Sequence, residues 1–194
     1  LYDKGNINGS VVVAENGNVI FKKSYGLADE QTNRKLNDST IFELASVSKQ
    51  FTAMGIVQLV KEGKLSYEDD ITQYVPELND YKKITIRNLL NHTGGLPDYM
   101  ELADKNWDKS IIATNDDILK LFKQVKPKKL FEPNEKWDYS NTGYLILATI
   151  IERVSGQKFG QYLHEKIFKP LDMKNTFVYR RRYEPKEMHY TEIG

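Results

Sequence analysis

The apolar positions fall into runs of two kinds. Residues 10–14 and 19–25 are short and rich in valine and aromatic side chains, and Asn16-Gly17 sits between them. Such runs joined by Asn-Gly predict a β-hairpin. Residues 41–62 hold no proline and end at Gly63. Thr40 with Glu43 matches a capping box, so one helix is expected from 41 onward. At roughly 100° per residue, Ser46, Lys49, Ala53, Ile56, Leu59 and Val60 share one sector of that helix. Phe51, Met54 and Val57 lie on other sides. A helix apolar nearly all round is expected to be central in its domain.

Further along, residues 67–75 read as a short helical or irregular piece stopped by Pro76, and residues 84–90 as a helix before a glycine turn. Residues 115–124 read as an amphipathic helix with Asp116 and Asp117 in its first turn, where acidic side chains favour the helix dipole. Residues 142–154 read as an apolar helix closed by Gly156, and 159–168 as a helix ended by Pro170. There is no repeat, linker or low-complexity segment. The organisation expected is a single domain over 1–194, with an N-terminal hairpin in 1–28 and a mainly helical region over 40–178.

Two polar side chains interrupt the apolar sector of the first helix. Ser46 and Lys49 stand three residues apart and face the same way. A lysine on a buried face is costly, and desolvation disfavours its ammonium form. A neutral amine can take the proton of a neighbouring hydroxyl and turn a poor nucleophile into a good one. The N-terminus of a helix also favours the negative charge that develops on an acyl oxygen. S-x-x-K alone is a weak pattern that also arises by chance.

The second constellation is Tyr139-Ser140-Asn141. It lies between a loop with Pro133-Asn134 as its turn signal and the helix of residues 142–154. A phenol near a lysine has its pKa lowered and can relay protons. The Asn141 amide can hold a substrate carbonyl or position Lys49. Equally, Tyr139 could simply pack and Asn141 cap the helix.

Together Ser46-x-x-Lys49 and Tyr139-x-Asn141 resemble the serine β-lactamase and penicillin-binding-protein superfamily. The Tyr-x-Asn form points to its class C β-lactamase-like branch, which includes D-alanyl-D-alanine carboxypeptidases, D-amino-acid peptidases and esterases. The surroundings of Ser46 from Phe42 to Ala53, the segment from Ile84 to Tyr99 and the opening from Gly9 to Gly17 are each similar to that branch. The resemblance implies an α+β, β-lactamase/transpeptidase-like fold, with a helical block beside an antiparallel sheet. It implies a serine acyl hydrolase that forms a covalent acyl-enzyme with a β-lactam, a D-alanyl peptide or a related amide or ester. Ser46 would be the nucleophile, with Lys49, Tyr139 and Asn141 as its partners. The alternatives are a penicillin-binding sensor acylated without turnover and an inactive scaffold relative. No metal or organic cofactor is implied.

One part of the family pattern is missing. A third motif, Lys-Thr-Gly or His-x-Gly on a late strand, is not found, and the chain ends about fifty residues after Asn141. His92-Thr93-Gly94 matches literally but lies between the first two motifs, so it reads as a turn with an ordinary imidazole. The expectation is a partial chain without its last strands, trimmed also before Leu1. Asn134 replaces the glycine usual after Pro133, a change that asparagine's tolerance of positive φ permits.

Composition changes little. The formal net charge is +1, from 28 basic and 27 acidic residues. That gives no electrostatic case for nucleic acid. The basic clusters at 126–129 and 180–182 read as solvated surface. Cysteine is absent, which excludes disulfides and a thiol nucleophile. The three histidines are widely spaced, so a histidine-based metal site is not expected. Membrane attachment would need an anchor outside this chain, and the family suggests an extracytoplasmic location. A Ser-His-Asp esterase using His92 is the remaining idea, against which stands the lack of a Gly-x-Ser-x-Gly elbow.

Overall fold

The computed structural model describes residues 7–179. The basic cluster at 180–182 and His189 lie outside them. The chain divides into two compact units with the boundary between Leu44 and Ala45.

In the first unit β1 (Gly9–Glu15) pairs antiparallel with β2 (Asn18–Tyr25). Asn16 and Gly17 both take positive φ, 50° and 81°. That is what a two-residue hairpin turn matching the strand twist requires. A bulge interrupts the register between Val13 and Ala14. A second small pair, β3 (Leu27–Asp29) with β4 (Arg34–Lys35), was not anticipated. Its strands are too short to show an alternating pattern.

The second unit is helical. Its helices are α1 (Lys49–Lys61), α2 (Ile86–Leu90), α3 (Tyr99–Asn106), α4 (Asn115–Val125), α5 (Asn141–Ser155) and α6 (Phe159–Leu163). α5 lies at the centre and packs on α1, α2, α4 and α6. Ile146, Leu147, Ile150 and Ile151 of α5 meet Ile56 and Leu59 of α1 in one core, all at 1% exposure or less. Gly55 permits this approach of α1 to α5. A methyl group there would stand 2.8 Å from Ile151 Cδ1 and 3.3 Å from Leu163 Cδ2. The Arg153 guanidinium grips both oxygens of Glu77 at 2.8 and 2.9 Å, a bidentate pair that ties the end of α5 to the 76–81 segment.

Several ends differ from expectation. The first helix does not begin near 41. Thr40 Oγ1 is engaged with Asn37 rather than capping a helix. Ala45 takes φ 45°, which breaks any helix running through it. A 3-10 turn over Ala45–Ser48 leads into α1 instead. Nor is α1 buried all round. Its buried residues are Thr52, Gly55, Ile56 and Leu59, while Met54 and Val57 are exposed. α3 was missed, although Asp98 followed by Glu101 was the available signal; the Asp98 carboxylate accepts from the N–H groups of Met100 and Glu101. The helix of 159–168 is α6 followed by one wide turn, His164–Phe168, in which Lys169 N donates to His164 O at 2.8 Å. Pro170 has no N–H to continue a regular ladder. The helices expected at 115–124 and 142–154 are present, extended by a residue or so.

Truncating Ile56 to alanine at the α1–α5 contact should cost about 2–5 kcal/mol. Val57→Ala, one residue away on the exposed side, should change stability by less than about 1 kcal/mol. Urea titrations of the two variants check this, and equal costs would contradict the described packing.

Candidate active site

Four elements of the helical unit converge on one amine. The 3-10 turn before α1 places Ser46, and Lys49 opens α1. In a 3-10 turn residues three apart eclipse one another. Lys49 Nζ therefore lies 3.2 Å from Ser46 Oγ. The start of α5 contributes Asn141, whose Oδ1 accepts from Lys49 Nζ at 2.9 Å. Tyr139 and Tyr144 complete the surround, with Lys49 Nζ 4.8 Å and 5.6 Å from their ring centroids. Both rings stand within cation–π range.

The structure thus brings together all four residues singled out in the sequence. It also corrects one expectation about them. Lys49 is half-buried, Ser46 and Tyr139 are exposed, and the amine is not sealed from water. Its polar partners, rather than deep burial, define its surroundings. The Tyr139 phenol is held below its ordinary value because it receives hydrogen bonds from Lys49 and then from Ser46. Asn141 does not cap α5. That task falls to Ser140, whose Oγ accepts from Gly143 N at 3.0 Å. The amide of Asn141 is thereby left for Lys49.

Ala45, just before Ser46, holds φ 45° without being glycine. A left-handed residue with a Cβ costs roughly 1–2 kcal/mol. This bend turns the chain into the 3-10 turn and presents Ser46 at its start.

The loop carrying Tyr139 is not free-standing. Three backbone bonds stitch it to the turn after α2. Leu130 N donates to Gly95 O, Asn134 N to Thr93 O, and Asp138 N to His92 O, each at 2.9 Å. Side chains reinforce the seam. The buried Asn88 sends Nδ2 to Asn134 Oδ1 at 2.7 Å and to Thr93 Oγ1 at 3.0 Å. Asn134 takes φ 67°, as expected of a residue in a glycine position. Gly95 allows the closest approach, since it sits at φ 69° and a Cβ there would stand 2.1 Å from Phe131 O. Any other residue would push the two segments apart.

Sequence reasoning undervalued His92 and missed Tyr144. The His92 Nδ1 accepts from the backbone N–H of Ser140 at 3.1 Å. Its ring lies 4.7 Å from that of Tyr139 and 5.2 Å from that of Tyr144. An imidazole whose Nδ1 accepts cannot donate that nitrogen's proton to an aspartate. This removes the Ser-His-Asp reading. Tyr144 Oη donates to Leu90 O at 3.1 Å. Its spacing of three from Asn141, on one face of a helix, was the legible signal.

The chain matches the Beta-lactamase family over residues 2–192, and it belongs to that family. It is 45% identical over 194 residues to penicillin-binding protein 4* of Bacillus subtilis (strain 168), covering all of this chain and 43% of that protein. A solved penicillin binding protein from Bacillus halodurans superposes with a TM-score of 0.82 at 27% identity, over 95% of this chain and 56% of that one. The D-amino acid amidase from Ochrobactrum anthropi SV3 gives a TM-score of 0.74 at 28% identity, over 89% of this chain and 48% of that one. The chain therefore spans about half the length of these relatives, and the fold is the β-lactamase-like α+β fold.

Removing the amine should return Tyr139 towards its ordinary phenol value. NMR of ζ-carbon-labelled tyrosine should show one phenol titrating below pH 10 in the wild type and moving up in Lys49→Ala. An unmoved titration would mean that Lys49 does not hold the phenol.

Proposed function

We propose that this protein performs acyl transfer through a covalent serine ester, with Ser46 as nucleophile. The observation that carries the reading is the single amine shared by Ser46 Oγ at 3.2 Å and Asn141 Oδ1 at 2.9 Å, beside a phenol of lowered pKa. Chance placement of a serine and a lysine does not call for that convergence from the starts of two helices.

The steps follow from the geometry. Ser46 Oγ attacks the carbonyl carbon of an amide, ester or β-lactam, and its proton passes to the Lys49–Tyr139 pair. The lowered pKa of Tyr139 favours its oxygen as the relay, because Lys49 stabilises negative charge there. The tetrahedral oxyanion takes a hydrogen bond from the Ser46 N–H. The resemblance assigns the second donor to a strand later in the family fold. Tyr139 then returns the proton to the leaving nitrogen or oxygen as its bond to carbon breaks. The Oδ1 of Asn141 holds Lys49, and its Nδ2 end orients the substrate. Water deacylates the serine ester by the same relay in reverse.

β-Lactam and D-amino-acid amide or D-alanyl peptide are the favoured substrates. The relatives support this class: one carries the name penicillin-binding protein and another is an amidase solved with L-phenylalanine amide.

Intact-mass spectrometry after addition of a penicillin tests the reading. The wild-type chain should gain the mass of one penicillin, and Ser46→Ala should gain none. Lys49→Ala should acylate slower by about 10²–10⁴-fold, the usual worth of a positioned proton acceptor. A labelled Ser46→Ala protein would refute the assignment. The lifetime of the adduct separates a hydrolase, which loses it, from a penicillin-binding sensor, which keeps it.

A further inference from the structure

We infer that His92 is the positioning residue of this site, and that it holds the Tyr139–Asn141 segment only while its imidazole is neutral. The inference rests on the reading of Ser46, Lys49 and Tyr139 given above and extends it to a residue outside those motifs.

Three observations meet at this ring. Its Nδ1 accepts the backbone N–H of Ser140, the residue between Tyr139 and Asn141, at 3.1 Å. Its backbone carbonyl accepts Asp138 N at 2.9 Å, just before Tyr139. Its face lies against Tyr139, with centroids 4.7 Å apart and planes at 33°. One residue thus grips both sides of the tyrosine backbone and also supports its ring. His92 itself is held at φ 60°, a strained conformation that aims the ring at the segment.

The acceptor role fixes the tautomer. Nδ1 must carry a lone pair, so the neutral ring bears its proton on Nε2. Adding a proton at Nδ1 would set two N–H groups against each other and break the bond to Ser140. The groups facing the ring are the Lys49 amine of α1, the Tyr144 phenol of α5, and Tyr139 and Trp137 of the loop. Of these, the charge of Lys49 disfavours that proton. Burial first, and then the charge of Lys49, hold His92 below the usual histidine value. The sign follows: the unfolded chain binds this proton more readily than the folded one. The contribution of His92 to stability and to the site is full above the ordinary histidine value of about 6.5 and is lost as pH falls through the lower folded value.

Two substitutions separate the ring from its acceptor. In His92→Asn, the Oδ1 is also bonded to Cγ, so it can accept from Ser140 N, tolerates the positive φ, and does not titrate. His92→Phe keeps a ring and loses the acceptor. Acylation of the full chain by a penicillin, followed by intact mass against pH, should show an additional acid limb below pH 6.5 in the wild type, falling tenfold per pH unit. His92→Asn should lack that limb and acylate within a few-fold of wild type at neutral pH. His92→Phe should be slower by about 10–100-fold at every pH, the cost of a misplaced relay. An unchanged acid limb in His92→Asn, or a wild-type rate in His92→Phe, would overturn the inference. Nitrogen-15 NMR of the ring is the readout that does not need acylation. It should find the proton on Nε2 and a titration below 6.5, and a proton on Nδ1 would overturn the inference even in a chain that no penicillin labels. Absence of any wild-type adduct, with the expected tautomer present, would instead count against the Ser46 reading alone.

Discussion

The site depends on one amine reaching two partners that are far apart in the chain. Lys49 Nζ meets Ser46 three residues away and Asn141 ninety-two residues away. The first contact is local and follows from the turn. The second requires that the start of α1 and the start of α5 lie side by side. The packing of those two helices therefore sets the geometry around the amine. Gly55 makes the close approach possible, and the Ile56, Leu59, Ile150 and Ile151 side chains hold it. Each fully buried aliphatic side chain contributes on the order of 1.5–3 kcal/mol, more than the polar contacts they align.

The second constraint is the seam between the turn after α2 and the loop of residues 130–138. A loop whose phenol is to stay near the amine must be held as rigidly as a helix. Here the task falls to backbone bonds, to the buried Asn88 and to a glycine whose Cβ would collide with Phe131 O. Strained backbone also borders the site. Ala45 and His92 both take positive φ without being glycine, one beside Ser46 and one beside Tyr139. Such conformations persist only where the surroundings over-determine them, which is common at reactive sites.

Electrostatics then divides the labour among similar groups. Tyr139 and Tyr144 both face Lys49, but their phenols shift in opposite directions. Tyr139 is exposed, receives donors and has its phenol lowered. Tyr144 is half-buried, gives its own proton to Leu90 O and is pushed up by burial. The difference between the two phenols thus comes from hydrogen-bond direction and desolvation, not from residue type.

The four residues that meet around the amine were legible because each motif is short and local. Ser46 with Lys49, and Tyr139 with Asn141, are set by spacing along the chain, and the helices over 115–124 and 142–154 by periodicity and caps. The hairpin was legible because Asn-Gly supplies the positive φ that its turn needs. What could not be read is everything that depends on residues meeting across distance. Thr40 and Glu43 match a capping box, yet the Thr40 hydroxyl turns to Asn37 and the helix begins at Lys49. His92 looked like an ordinary turn histidine, because nothing in its neighbours shows that Ser140 will present an N–H to it. The half-burial of Lys49 was likewise decided by packing. Local sequence determines which groups are available and how a turn is made; only the tertiary structure decides which of them share a proton, because that depends on distances between segments that propensity does not encode.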